Sequence, residues 1–283
     1  MLFKTFFILC KERPDLLFVQ NPSVILALFS VTMARLFTPL VVVDAHNEGI
    51  KPFYGRLNWL MFIYHAIQRK ADLTIVTNHK LAREVYRNKG RPFVLEDKIP
   101  AFSAVERTTL AGRHNIVFIC TFEKDEPYQA VIEAGRMMDP GINIYITGQY
   151  QKAPGRIIKT APPNVVFSGF LSEQNYANLL YSCDAVVDLT LMQNCLVCGA
   201  YEAVALEKPL ILSNTPALRS YFGPGAVFTE NKAASIADAI NHVLANKETL
   251  ENQVKILKEK LQADWQEKWV DLNGVLEQLG TGR

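Results

Sequence analysis

Gly199-Ala200-Tyr201-Glu202-Ala203-Val204-Ala205-Leu206-Glu207-Lys208-Pro209-Leu210-Ile211-Leu212-Ser213 reads as a short helix feeding directly into an apolar strand. Ala200, Ala203, Val204 and Leu206 make a small, apolar helix face, and Glu202 is the one acidic residue in the first turns. A carboxylate is costly to bury without a partner, yet it sits well near the positive end of a helix dipole. A helix that runs into a buried aliphatic strand is half of a βαβ unit. Its lone carboxylate asks what it holds.

The same alternation runs outward in both directions. Towards the N-terminus, strands are expected at Leu16–Gln20, Leu40–Asp44, Leu73–Thr77 and Pro92–Glu96, with helices over about 23–36, 56–70 and 79–88. Residues 97–113 carry no clear period and read as a linker. A second series places strands at Ile116–Cys120, Ile142–Ile146, Val165–Ser168, Ala185–Asp188, Leu210–Ser213 and Ala226–Phe228. Its helices cover about 127–137, 173–181, 199–206, 215–221 and 234–246, the last opened by Ser235. A charged helical tail over 248–279 carries Trp265 and Trp269. Short apolar runs alternating with helices predict parallel sheets in α/β layers. The second series is a complete small doubly wound domain. The first is shorter, as though the chain starts inside its first domain.

Composition excludes several classes. A net charge of +2 over 283 residues gives no broad basic field for nucleic acid. The five cysteines lack zinc spacing, and Cys195-Leu196-Val197-Cys198 has no second pair, so buried free thiols in a reducing, cytoplasmic setting are expected. The apolar start at Met1–Cys10 is too short to span a bilayer, and Arg35 and Pro39 divide the apolar run at 23–43. The helix around Trp59, Phe62, Tyr64 and Ile67 is apolar on nearly every face, which predicts burial, with a membrane-surface patch as the alternative.

No GxGxxG follows a strand, and GxxxxGK[ST], GxSxG and a metal-binding DxD pair are all missing. An α/β protein without these must meet phosphate with helix N-termini and basic side chains. The loop Leu189–Gly199 lies at the carboxyl end of the strand Ala185–Asp188, where ligands of such sheets bind. The amides of Leu196, Val197, Cys198 and Gly199 are therefore expected to face a phosphate. In the first half, the strand Val41–Asp44 opens into Ala45-His46-Asn47-Glu48, which puts His46 at a strand's carboxyl end.

From about Pro14 to Leu279, and most strongly from Ile116 to Ile240, these segments resemble glycosyltransferase family 4 (glycosyl transferases group 1). That family has the GT-B architecture of two facing Rossmann-like domains. The resemblance rests on Asn164–Glu173, on Leu179–Asp184, and on the run from Asp184 to Ser213. It implies an N-terminal acceptor-side domain over 1–105, here incomplete, and a nucleotide-sugar domain over 106–262. A C-terminal helix over 263–283 would return towards the first domain.

The activity implied is a metal-independent, retaining, hexosyltransferase-like transfer from a nucleotide diphosphate sugar to a glycan or lipid-linked acceptor, with no cofactor. Glu202 matches the family's ribose-binding acid, whereas its partner eight residues earlier is Asn194, which leaves the sugar contact without a charge. Phe170 and Leu171 would read the base edge through their backbone. Lys152 and Lys124 stand where the family places phosphate-neutralising side chains, with Arg156 as a fallback. His46 resembles a histidine near the donor sugar, and would orient or stabilise an oxocarbenium-like centre. The expected setting is cytoplasmic, at the inner face of a membrane if the acceptor is lipid-linked. A non-catalytic remnant that binds a nucleotide sugar or a protein, and a nucleotide-sugar epimerase of the same architecture, stay open as alternatives.

Overall fold

The computed structural model describes residues 2–21, 23–38, 40–50 and 58–281. The chain divides into two compact units, Met1–Asp97 with Asp264–Arg283, and Lys98–Ala263. Each is built on its own parallel sheet.

In the first unit, α1 (Leu2–Glu12) precedes β1 (Leu16–Asn21), α2 (Val24–Thr32), β2 (Leu40–Ala45), α3 (Asn47–Ile50), α4 (Met61–Lys70), β3 (Leu73–Val76), α5 (His79–Arg87) and β4 (Pro92–Val94). The strands lie in chain order, β1-β2-β3-β4. Alternate side chains of a strand face opposite sides of its sheet, and β2 uses both. Val41 and Val43 pack with Ala27, Val31, Ile67 and Val85 from α2, α4 and α5. Val42 packs on the other side with Leu73, Ile75, Leu272 and Leu276. Those two leucines come from α12 (Lys247–Thr281), whose residues from Asp264 onward belong to this unit. Trp265 Nε1 donates to the Glu96 carbonyl at 3.0 Å, and Lys268 pairs with the Glu96 carboxylate. Asn78 caps α5 by accepting from the amides of Lys80 and Leu81.

The apolar start forms α1, a helix that shows Phe3 and Phe7 to solvent. Two features differ from the expectation for this half. The helix expected from residue 56 is regular only from Met61, after a 3-10 turn at Asn58–Leu60; residues 56 and 57, like Pro39, lie outside the described residues. That helix is not buried all round: Tyr64, Ile67 and Gln68 are buried, while Trp59 is 70% and Phe62 64% exposed. The side turned towards α2 and the sheet packs in the core through Ile63 and Ile67, while the Phe62 side is open to solvent. Among the described residues, no helix is long and apolar enough to cross a membrane.

The second unit runs β5 (His114–Phe118), α6 (Tyr128–Met137), β6 (Ile142–Thr147), α7 (Gly155–Lys159), β7 (Val165–Gly169), α8 (Glu173–Ser182), β8 (Ala185–Asp188), α9 (Cys198–Ala205), β9 (Leu210–Ser213), α10 (Pro216–Phe222), β10 (Ala226–Thr229), α11 (Ala233–Ala245) and the first part of α12. Its strand order is β10-β9-β8-β5-β6-β7. The chain moves outward from β5 to β7, then crosses back to place β8 on the other side of β5. The order therefore reverses between β5 and β8, and ligand crevices of such sheets lie outside the strand ends at that point. Ser172 and Thr215 cap α8 and α10 through their hydroxyls. Ser235 does not open α11, which starts two residues earlier at Ala233; alanine enters a helix without needing a side-chain cap. β5 ends at Phe118 and not at Cys120, because the next residues turn back into a loop held by Glu126.

Candidate functional site

A cavity of about 660 Å³ opens at the carboxyl ends of β5, β6 and β7, between α8 and α9. Ile119, Cys120 and Thr121 extend from β5, and Thr147, Gly148, Gln149 and Lys152 follow β6. Gly169, Phe170, Leu171, Ser172 and Glu173 leave β7, Tyr176 stands on α8, and Cys198, Gly199 and Glu202 come from α9. The strand ends meet closely. Gly148 has φ +86°, and a Cβ there would lie 2.0 Å from the Cys120 carbonyl oxygen, so the turn after β6 admits only glycine.

Glu202 sits in this wall on the second turn of α9. Burial raises its carboxyl above the usual glutamate range, and the hydrogen bond from the Tyr176 hydroxyl to Oε2 opposes that rise. Burial also pushes the Tyr176 phenol up, with the neighbouring Glu202 charge adding to it, so this hydroxyl keeps its proton. Phe170 lines the cavity and is 82% exposed, so its ring is open to solvent there.

Behind the wall lies Asp188, the last residue of β8, buried. Burial first, then the charges of Glu126 and Glu202, raise its carboxyl well above the aspartate range, while the amides of Gly199 and Ala200 donate to it and pull the other way. The Gly199 N–H thus has a partner inside the protein, at the position where a phosphate was expected. Leu196 and Val197 are not among the residues lining the cavity. Their side chains are in the hydrophobic core with Ala200, Tyr201 and Leu212, and the Val197 carbonyl accepts the Ala200 amide at 3.2 Å. Of the four residues Leu196–Gly199, the structure places Cys198 and Gly199 at the cavity.

The loop after β5 is closed in the same manner. Glu126 accepts from the Thr121 amide at 2.9 Å, the Thr121 hydroxyl at 3.1 Å and the Glu123 amide at 2.8 Å. Phe122 adopts φ +61° within it. The backbone donors at this strand end thus hold an internal carboxylate. Lys152 is on the wall, and its ammonium pairs with Glu123 Oε1 at 2.6 Å, which lowers the Glu123 carboxyl. Lys124, Arg156 and Asn194 are not among the lining residues. Cys198 is exposed on the wall, against the expectation of a buried thiol, whereas Cys120 and Cys183 are buried and raised in pKa, Cys183 to about 12.

In the first unit, His46 follows β2, with Nε2 3.9 Å from Asp44 Oδ2. Burial raises the Asp44 carboxyl, the His46 ring lowers it, and Asp97 raises it. Asn21 at the end of β1 donates to the Gly49 carbonyl at 3.0 Å and ties this polar strand end together.

Three functional features escaped the sequence reading: Tyr176 against Glu202, Asp188 on the α9 amides, and Glu126 in its loop. Only Glu126 left a signal, an acid just before Pro127 in a loop expected to bind anions.

The geometry has counterparts among solved structures. Sucrose-phosphate synthase from Thermosynechococcus elongatus is 17% identical, with a TM-score of 0.77 over 99% of this chain and 77% of that one. HepE from Anabaena, solved in complex with UDP-glucose, is 15% identical, with a TM-score of 0.68 over 95% and 78%. A UDP-forming trehalose-phosphate synthase from Burkholderia xenovorans is 13% identical, with a TM-score of 0.72 over 93% and 74%. At such identities the likeness shows the fold, two Rossmann-like α/β domains of the GT-B class. No curated protein sequence matches the chain. The family model described as glycosyl transferases group 1 matches residues 106–260, the whole sheet and cavity just described. By that match the chain belongs to the glycosyl transferases group 1 family.

Proposed function

We propose that the protein transfers a sugar from a nucleoside diphosphate sugar to a glycan or lipid-linked acceptor, with retention and without a metal ion. The observation that carries this reading is the Glu202 carboxylate, presented by α9 on the wall of a cavity at the switch point of a doubly wound sheet. A carboxylate accepts from two neighbouring hydroxyls at once, which suits a ribose diol. Phe170 and Leu171 would meet the base, the first by its exposed ring and both by their backbone. Lys152 would turn from Glu123 to a diphosphate, and Asn194 would reach the sugar from its loop. His46 would support the oxocarbenium-like centre, where positioned charge counts more than a strong base. HepE, a fold neighbour, binds UDP-glucose, which supports a nucleotide-sugar donor. A lipid-linked acceptor would bring the enzyme to the inner face of the membrane.

Calorimetric titration of the full chain with UDP, GDP and their hexose conjugates tests the donor site. Glu202→Ala removes charge-assisted hydrogen bonds worth about 1.5–3 kcal/mol, a loss of roughly 10- to 100-fold in affinity. An unchanged affinity in that variant refutes the site. Binding without turnover on any acceptor identifies a carrier rather than a transferase, and interconversion of free donor without acceptor identifies an epimerase.

A further inference from the structure

We infer that Tyr176 is the positioning residue of the nucleoside site, acting through Glu202: its hydroxyl fixes the plane of that carboxylate and sets which of its oxygens faces the ribose. The inference rests on the donor-site reading above and adds a second residue to it, 26 positions away in the chain and on a different helix.

The argument starts at Ser172. Its hydroxyl accepts the Asn175 amide at 3.3 Å and starts α8 immediately after Gly169–Leu171, the segment that borders the cavity from β7. Tyr176 follows in the first turns of that helix. Ala177, Leu179 and Leu180 beside it are buried, and the Tyr176 ring packs against the same core as α9. The ring is therefore held by apolar contacts while its oxygen lies on the cavity wall, next to Glu202.

A glutamate's terminal torsion is broad and roughly two-fold, so an unrestrained carboxylate samples many planes. One hydrogen bond to Oε2 from a ring packed against the core restricts that freedom before ligand arrives. Ordering is then not charged against binding. The phenol has a single proton, and donating it to Oε2 leaves Oε1 and the remaining lone pairs to accept from a diol, while the phenol oxygen can itself accept from the ligand.

The same bond favours the charged form of Glu202, which burial disfavours. The other ionisable groups around the pair are Asp188 at the end of β8, Cys198 on α9, and Cys120, Glu173 and Lys152 on the cavity wall. Asp188 and Cys198 act against a charged Glu202 or a charged phenol, so Tyr176 is the neighbour whose bond supports the carboxylate.

The test uses the full chain, titrated with UDP and with GDP from about pH 5.5 to about pH 8.5. Tyr176→Phe keeps the ring and removes the hydroxyl. The expected result is a 5- to 10-fold weaker affinity at about pH 7.5, the size of one lost hydrogen bond of ordinary net strength, with the acid limb of binding displaced to higher pH. Glu202→Gln abolishes the acid limb, and in that background Tyr176→Phe has no further effect on the limb. A phenylalanine variant with the wild-type affinity and limb overturns the inference. So does a displaced affinity with the limb unmoved, which a packing role would produce.

A variant that fails to fold is bypassed by the 13Cζ chemical shift of Tyr176 in the wild type and in Glu202→Ala: it moves if the hydroxyl donates to Glu202, and a fixed shift overturns the inference. If neither UDP nor GDP binds the wild type, or Glu202→Ala binds as tightly as wild type, the donor-site reading fails. If Glu202→Ala loses binding and Tyr176→Phe does not, only the role of Tyr176 fails.

Discussion

Gly199→Ala tests whether the junction of β8 and α9 is as tight as the geometry requires. Gly199 is helical, with no positive φ, so its lack of a side chain is not explained by backbone conformation. A Cβ at this position would stand 2.5 Å from Asp188 Oδ2 and 2.5 Å from Ile119 Cδ1. The Ile119 methyl can retreat by a rotamer change. The Asp188 oxygen cannot, because its carboxylate is enclosed and accepts from the Gly199 and Ala200 amides.

Overpacking of this kind costs about 1–3 kcal/mol, and lengthening hydrogen bonds to the buried Asp188 carboxyl adds about 1 kcal/mol. Against this, alanine in a helix gains at most about 1 kcal/mol over glycine. The net is a destabilisation of about 1–3 kcal/mol, or a fall of roughly 3–10 °C in the midpoint of a unit of this size. Differential scanning calorimetry reads it directly. Gly274→Ala is the control, since a Cβ there meets nothing within 4 Å and the residue lies inside α12, so the midpoint should hold or rise. Nucleotide affinity should fall in Gly199→Ala as well, because Glu202 is less than one helical turn further on. A midpoint unchanged or raised in Gly199→Ala would refute the claim that Asp188 fixes the start of α9.

Two further outcomes follow from the charges. Lys152→Ala should weaken UDP by about 3- to 10-fold and uridine hardly at all, while Lys124→Ala, off the cavity wall, should leave both unchanged; equal losses with UDP and uridine would remove Lys152 from the diphosphate. Asp188 has a raised carboxyl, so the folded state keeps a proton that the unfolded chain has already released, and stability falls as pH rises from the ordinary aspartate range through the raised value. Asp188→Asn should therefore lose less stability than wild type as the pH rises above the ordinary aspartate range, and parallel urea-denaturation profiles would contradict the upward shift.

What could be read from the chain depended on whether a residue's role was local. β8 and β9 have the bounds expected of them, because a strand buried on both faces is a continuous apolar run closed by polar residues. Glu202 was visible because it is an isolated acid on a small apolar helix face. Asp188 was read only as the end of a strand, since its partners are amides ten or more residues later whose direction depends on how α9 packs. Tyr176 was invisible for the same reason, and so was the pairing of Lys152 with Glu123 across 29 residues. The exposed faces of Trp59 and Phe62 were misjudged because an all-apolar helix tells nothing of how many sides have neighbours.

Asp188 and Glu126 share a physical job that bears on recognition at the site. Backbone N–H groups at strand ends and helix starts of such sheets are natural anion holders. In this chain two carboxylates of the protein itself already occupy them, one at the start of α9 and one in the loop after β5. Asp188 feels the charges of both Glu126 and Glu202, whereas Lys152 on the cavity wall is already paired. On the donor-site reading, a diphosphate would have to displace Glu123 from Lys152 and would gain less from fixed backbone dipoles than from an open helix end. The contacts that would need no rearrangement are those to the nucleoside: the Glu202 carboxylate, the Tyr176 oxygen and the exposed Phe170 ring. On the donor-site reading, affinity in this chain is therefore weighted towards the nucleoside, and uridine or guanosine alone should retain most of the binding free energy of its diphosphate.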